Sequence, residues 1–312
     1  MMWEEAAKCS IMGIEVYAYG LYAAAGALLA FLALCLLTKR RRWPAGAGAM
    51  LFLVSGALGF VCSRLFYCLL DRRLGTVMPL KYWPMLSGGG FSMMGLLLGA
   101  ALGAMLIAPF CDRKKGEGLD IVCIAFVLFA AVERLGEGTA ADFGLSRPLI
   151  GEWIKTTFLA VESDYDVYLA TYLLEAAAMA VLFIVLLIDH LRRIPTGETF
   201  ILFLLLFGAV QTVLESLRFD QHMRLSFVGF QHILAILLMG GTVICLALRR
   251  GGRKSALKRA ALISVPVCAA VCLALEFAID RTTLNRYLLY AVYVAALCVP
   301  TVLGIRLRKE GN

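Results

Sequence analysis

Charge is scarce in this chain of 312 residues. Asp, Glu, Lys and Arg make up 17% of it while 61% is hydrophobic and the mean hydropathy is +0.83, whereas a soluble domain carries about a quarter charged residues. That imbalance excludes a cytosolic enzyme, a secreted disulfide scaffold and a disordered segment. The ten cysteines, at 9, 35, 62, 68, 111, 123, 245, 268, 272 and 298, show no C-x-x-C spacing and mostly sit in apolar runs. They read as small buried hydrophobes, so neither a disulfide framework nor a metal site is expected, and no cofactor motif is present. The opening MMWEEAAKCS has no basic stretch leading into an apolar one, so neither a cleavable signal peptide nor lipid modification of Cys9 is expected.

Long apolar runs are present instead, bounded by charges. They predict nine helices near 16–38, 46–70, 88–110, 119–136, 166–189, 198–217, 228–248, 258–279 and 287–305. Each reads as helix because an open strand edge cannot have its backbone satisfied in hydrocarbon. The expected fold is therefore an all-α polytopic membrane bundle. Eighteen of the thirty Lys and Arg fall on one set of alternate loops, in runs such as Lys39 to Arg42 and Arg249 to Arg259, and ten on the other set. Basic loops stay cytoplasmic, which predicts the N-terminus outside and the C-terminus inside. The net charge of +8 is thus mainly a topology signal and an attraction to anionic headgroups, and no nucleic-acid partner is expected. Between the fourth and fifth runs, GLSRPLIGEWIKTTF is amphipathic, with Leu149, Ile150, Trp153 and Phe158 beside Arg147 and Lys155. It reads either as a segment lying in the membrane interface or as an ordinary exposed loop.

Ionisable groups inside a bilayer cost several kcal/mol each unless paired or hydrated, so their positions point to a shared site. The fourth run ends in FAAVERLGEGTAADFG, which carries Glu133, Arg134, Glu137 and Asp142. Helical spacing puts Glu133 and Glu137 one turn apart and lets Arg134 reach Glu137 at i,i+3. Gln211, Glu215 and Arg218 share the sixth run, Arg64 lies in the second, Glu175 in the fifth, and Gln231 and His232 open the seventh. All belong to the outer half of the predicted bundle. The alternatives are a common polar cavity and a set of structural ion pairs between helices. Gly95, Gly99 and Gly103 form a small-residue stripe for close helix packing, and Gly88, Gly89 and Gly90 before it expose backbone N–H groups to an anion. Glu276 and Asp280, one turn apart beside Arg281, read as a structural cap.

In order, these segments resemble the bacterial prolipoprotein diacylglyceryl transferases. Tyr19-Gly20-Leu21 is similar to the family's YGL start, and Ser63 to Tyr67, with Arg64 at the centre, to ARLFY. Gly89 to Gly99 is similar to GG-x-S-x-H-G-G-L-x-G. Glu133-Arg134-Leu135-Gly136-Glu137, with Asp142 beyond, is similar to G-R-x-G-N-F-x-N-G-E. Leu174-Glu175-Ala176 follows YEA, Phe207 to Arg218 follows YGxxRFxxEFxR, and the FQHILA of Phe230 to Ala235 follows GQxLS. The resemblance spans about residues 17–248. It implies a seven-helix transferase-like membrane domain over 1–250 and an appended helix pair over 251–312.

The resemblance also implies a reaction: transfer of diacylglyceryl from phosphatidylglycerol to the thiol of a lipobox cysteine, the first step of lipoprotein maturation. The implied partners are phosphatidylglycerol or another anionic phospholipid and a lipoprotein precursor signal peptide, in the bacterial cytoplasmic membrane. The implied catalytic residues are Arg134, which suits phosphate because guanidinium binds it bidentately, and Glu137, Glu133 and Glu215 as acceptors of the thiol proton. Implied lipid-binding positions are Tyr19, Arg64, Gly89, Gly90, Met94, Gly95, Gly136, Asp142, Glu175, Gln211, Arg218 and His232. The chain departs from the pattern at Met94, where the family has histidine, at Gln211, where it has arginine, and at Glu137, where it has asparagine. Met94 transfers no proton and Gln211 carries no charge. A catalytically silent relative that binds anionic lipid or a membrane partner is therefore the alternative, and a proton- or cation-coupled transporter a third reading.

Overall fold

The computed structural model describes residues 8–11, 14–70, 78–84, 90–139, 145–149, 155–163, 166–192, 195–218, 224–225, 228–250, 256–282 and 284–310. The helices within those residues are α1 (Ala18–Arg40), α2 (Ala47–Leu70), α3 (Met93–Phe110), α4 (Lys115–Glu137), α5 (Thr171–Leu191), α6 (Glu198–Leu217), α7 (Phe230–Arg249), α8 (Ala256–Arg281) and α9 (Arg286–Glu310). Each coincides with one predicted run. Two begin five residues later than expected: α3 at Met93, where the Ser92 hydroxyl caps the Gly95 N–H, and α5 at Thr171, because 166–170 is a strand.

Eight of the nine are long and apolar enough to cross a membrane, and the chain is a polytopic helical membrane protein. Leu36, Leu53, Val181, Leu237, Ile263 and Leu288 lie exposed on the helix surfaces, as lipid-facing side chains do. The exception among the predicted spans is α4, in which Asp120, Glu133 and Arg134 interrupt the apolar run. It packs instead against α1, α3 and α5, and most of its residues from Gly118 onward are buried. A helix carrying charge at this depth is stable because protein, not lipid, surrounds it.

The chain divides into two compact units, Met1–Arg192 with Leu217–His222, and Arg193–Ser216 with Met223–Asn312. In the first, α2 and α3 pack backbone to backbone along the glycine stripe. A Cβ on Gly95 would meet the Cys62 carbonyl, one on Gly99 the Leu58 carbonyl, and one on Gly103 the Ser55 backbone. Short strands punctuate the helices: a hairpin of β1 (Lys8–Ile11) and β2 (Ile14–Tyr17), and a three-stranded antiparallel sheet of β3 (Leu145–Pro148), β4 (Ala160–Ser163) and β5 (Asp166–Ala170) in the order β3-β5-β4. The amphipathic stretch therefore begins as a sheet strand. Its Leu149 donates to the Val167 carbonyl, Phe158 is exposed, and Ile150 and Trp153 lie outside the described residues.

In the second unit, Leu205 of α6, Val243 and Leu246 of α7, Ala261 of α8 and Leu307 of α9 form one buried cluster, and Met239, Cys268, Cys272, Tyr293 and Leu297 another. The last two helices thus share a core with α6 and α7. A two-strand pair, β6 (Arg224–Leu225) and β7 (Val228–Gly229), leads into α7. At the far end, buried Glu198 accepts from Arg250 and, at 3.3 Å, from Arg308. Glu276, expected in a cap, is instead buried and faces the His232 ring.

Candidate active site

The densest polar group in the first unit assembles where α1, α3 and α5 begin and α4 ends. Arg134, Glu133 and Glu137 come from the last turn of α4, Glu175 is the fifth residue of α5, Arg218 follows α6 directly, Tyr19 is the second residue of α1, and Met93 opens α3. All but Tyr19 are buried. The Arg134 guanidinium pairs with Glu137 one turn along α4 and, through Nε at 2.8 Å, with Glu175 across the helix interface. Arg218 Nη1 lies 3.1 Å from Glu137 Oε2 and 3.1 Å from Glu175 Oε1. Each carboxylate therefore bridges the two guanidiniums, and the four groups close a ring.

Two further contacts extend the ring. Tyr19 donates its hydroxyl to Glu133 Oε1 at 2.5 Å, and Glu133 Oε2 lies 3.7 Å from Arg134 Nε. Arg134 Nη2 donates to the Met93 sulfur at 3.3 Å, a weak acceptor. Gly136 admits this packing: a Cβ there would meet Tyr22 at 2.8 Å and Tyr19 at 3.3 Å. Arg218 is also bridged through its backbone to Ser146 of β3, and β5 runs without a break into α5, which carries Glu175. The small sheet is thus tied to the ring through β3 and β5, at the end where Leu145 pairs with Ala170.

Of the residues singled out from the sequence, the structure brings Tyr19, Glu133, Arg134, Gly136, Glu137, Glu175 and Arg218 together. Arg64 is engaged differently. It donates to the carbonyls of Trp83 at 3.0 Å, Gly90 at 2.9 Å and Tyr82 at 3.1 Å, near the Tyr67 and Phe91 rings, and so fastens the segment leading into α3. Gly90 serves the same packing: its φ is +87°, and a Cβ would strike the Tyr67 ring. Gly95 is a helix-packing position, and Met94 is buried in the first turn of α3. Gly89 and Asp142 lie outside the described residues.

Gln211, Glu215 and His232 belong to the second unit. Gln211 donates to Glu215 at 3.0 Å along α6. His232 shares a 2.7 Å hydrogen bond with the Tyr293 hydroxyl of α9 and lies 3.8 Å from Glu276 of α8. Sequence reasoning missed Met93 and Tyr22. Tyr22 carried a signal, standing one helical turn from Tyr19, but Met93 carried none, since it differs from its neighbour Met94 only in where the helix turns it. Among the described residues, no group of three or more His, Cys, Asp or Glu is placed to hold a metal ion.

The family model for prolipoprotein diacylglyceryl transferase matches residues 7–248. A phosphatidylglycerol–prolipoprotein diacylglyceryl transferase of Clostridium novyi (strain NT) is 24% identical over 237 residues, covering 75% of this chain and 92% of that protein. The enzyme of the same name from Staphylococcus carnosus (strain TM300) is 27% identical over 237 residues, covering 72% and 83%. That from Symbiobacterium thermophilum is 28% identical over 171 residues, covering 52% and 62%. The match covers most of the chain, with the ring residues inside it. The chain belongs to the prolipoprotein diacylglyceryl transferase family.

Proposed function

We propose that this protein transfers the diacylglyceryl group of phosphatidylglycerol to the thiol of a lipobox cysteine in a lipoprotein precursor, in the bacterial cytoplasmic membrane. The observation that carries the reading is the buried ring of Arg134, Glu137, Glu175 and Arg218 in a chain of this family. The thiol sulfur attacks the glyceryl carbon, the carbon–oxygen bond to phosphate breaks, and glycerol phosphate departs with the electron pair. Arg134 holds the phosphate and stabilises the charge that develops on it. Glu137 is the first candidate to take the thiol proton, with Glu133 after it. Tyr19 orients Glu133 by its hydrogen bond. We place the ring toward the outer leaflet, with the N-terminus outside, because the loops at the opposite end carry most of the Lys and Arg.

The test is direct. Purified protein, given phosphatidylglycerol and a lipobox peptide, should yield the thioether peptide by mass spectrometry and stoichiometric glycerol phosphate. Arg134→Ala should abolish product formation, whereas Arg250→Ala, which loses the pairing with Glu198 and a hydrogen bond to the Arg308 carbonyl, should retain turnover per folded molecule. Absence of both products from the wild-type protein would refute the reading. Met94 and Gln211, which replace the family's histidine and arginine, favour the second reading, a silent relative. It is distinguished by phosphatidylglycerol binding without product.

A further inference from the structure

The charge balance of the ring carries a consequence for what it admits. Two guanidiniums, Arg134 and Arg218, stand against three carboxylates, Glu133, Glu137 and Glu175. With all five ionised the group has one negative charge in excess. One of the three, Glu137, stands where the family pattern has a neutral asparagine, and it contacts both guanidiniums at once. A phosphodiester headgroup brings one negative charge. A phosphomonoester brings nearly two above its second ionisation, near about pH 6. In a buried setting that second charge meets carboxylates at short range and weak screening, so the monoester is repelled about twice as strongly as the diester.

We propose that Glu137 makes the ring a charge filter, which accepts the singly charged diester of a phospholipid headgroup and rejects the doubly charged monoester. This rests on the transferase reading, and there it acquires a use. Transfer turns the bound diester into glycerol phosphate, a monoester, so the leaving group gains one charge as the carbon–oxygen bond breaks. The carboxylates that stay ionised then repel the doubly charged product more strongly than they repelled the singly charged substrate. Glu175 contributes by the same geometry, since it bridges the same guanidiniums from α5. Tyr19, which donates to Glu133, and Met93, at Arg134, add no charge from α1 and α3.

The experiment is equilibrium binding of the full chain in phosphatidylcholine nanodiscs at about pH 8.5. Three probes separate the sources of the phosphate: phosphatidylglycerol, phosphatidate, and soluble glycerol phosphate. Wild-type protein should prefer phosphatidylglycerol to phosphatidate by roughly tenfold or more and bind glycerol phosphate weakly. Glu137→Gln and Glu175→Gln, which remove one negative charge from different helices, should each reduce that preference to roughly threefold or less and tighten glycerol phosphate binding. Equal wild-type affinity for the two lipids, absence of phosphatidylglycerol binding, or an unchanged preference in both variants would overturn the proposal. Collapse of the preference in a protein that forms no thioether would leave the filter standing and remove the transferase reading instead.

Discussion

At the residue scale the centre of this protein is a balance among buried charges. Ring members at this depth are tolerated only because every guanidinium has carboxylates and every carboxylate has guanidiniums. Removing one partner leaves the others uncompensated, at a cost of about 3–5 kcal/mol for a fully buried pair. Arg218→Ala, which leaves one guanidinium against three carboxylates, should accordingly destabilise the folded protein by about that much, seen as a fall in thermal unfolding temperature in detergent. Arg64→Ala, which removes hydrogen bonds from a half-buried side chain to loop carbonyls, should cost less. A reversed order would show that the ring is not what holds this end of the first unit. The Arg134–Glu137 pair was legible from spacing alone, because helical geometry brings i and i+3 together. The bridge from Arg218 to Glu175 was not, because no local rule relates residues 43 apart in sequence.

At the scale of elements, two helices illustrate opposite uses of composition. The α2–α3 pair depends on having no side chain at Gly99, where the Leu58 carbonyl occupies the space of a Cβ. Gly99→Leu should separate the helices and lower stability by at least the ~1–3 kcal/mol typical of overpacking, while a leucine at Gly56, which has open space, should be tolerated. Thermal unfolding of the two variants side by side decides this. Helix α4 is a central element that does not qualify as a membrane span by itself. In a single-segment insertion assay, 115–137 should insert less efficiently than 47–70, since Asp120 and Glu133 leave it an uncharged run too short to span, whereas Arg64 lies near one end of the other segment. Efficient insertion of 115–137 alone would contradict the view that its neighbours make it tolerable.

At the scale of the whole molecule, the boundary of the family pattern and the boundary of the packing differ. The family match ends at 248, yet Leu205, Met239 and Val243 are buried in clusters completed by α8 and α9, and His232 takes its partners from both. Deleting 251–312 should therefore reduce the amount of folded protein recovered from membranes, with Tyr293→Phe giving a milder loss of about 1–2 kcal/mol through the lost hydrogen bond. Full recovery of the truncated chain would show the helix pair to be dispensable. Orientation belongs to this scale too: green fluorescent protein fused after Asn312 should fluoresce, and alkaline phosphatase fused there should be inactive, if the basic loops are cytoplasmic.

The amino-acid sequence by itself determined the number and positions of the long helices, because burial in lipid requires continuous apolar runs and charge marks where they stop. It also marked the charged residues of the site, since charge in such runs is rare enough to be conspicuous. Only the tertiary structure decided which charges meet. It placed Glu175 and Arg218 on Arg134 and Glu137, gave Arg64 to loop carbonyls, turned Met93 rather than Met94 toward the guanidinium, and paired His232 with Tyr293. Pairing across helices depends on their rotation and depth, which are set by many weak side-chain contacts and by glycines that let backbones approach, and no local period in the chain encodes them.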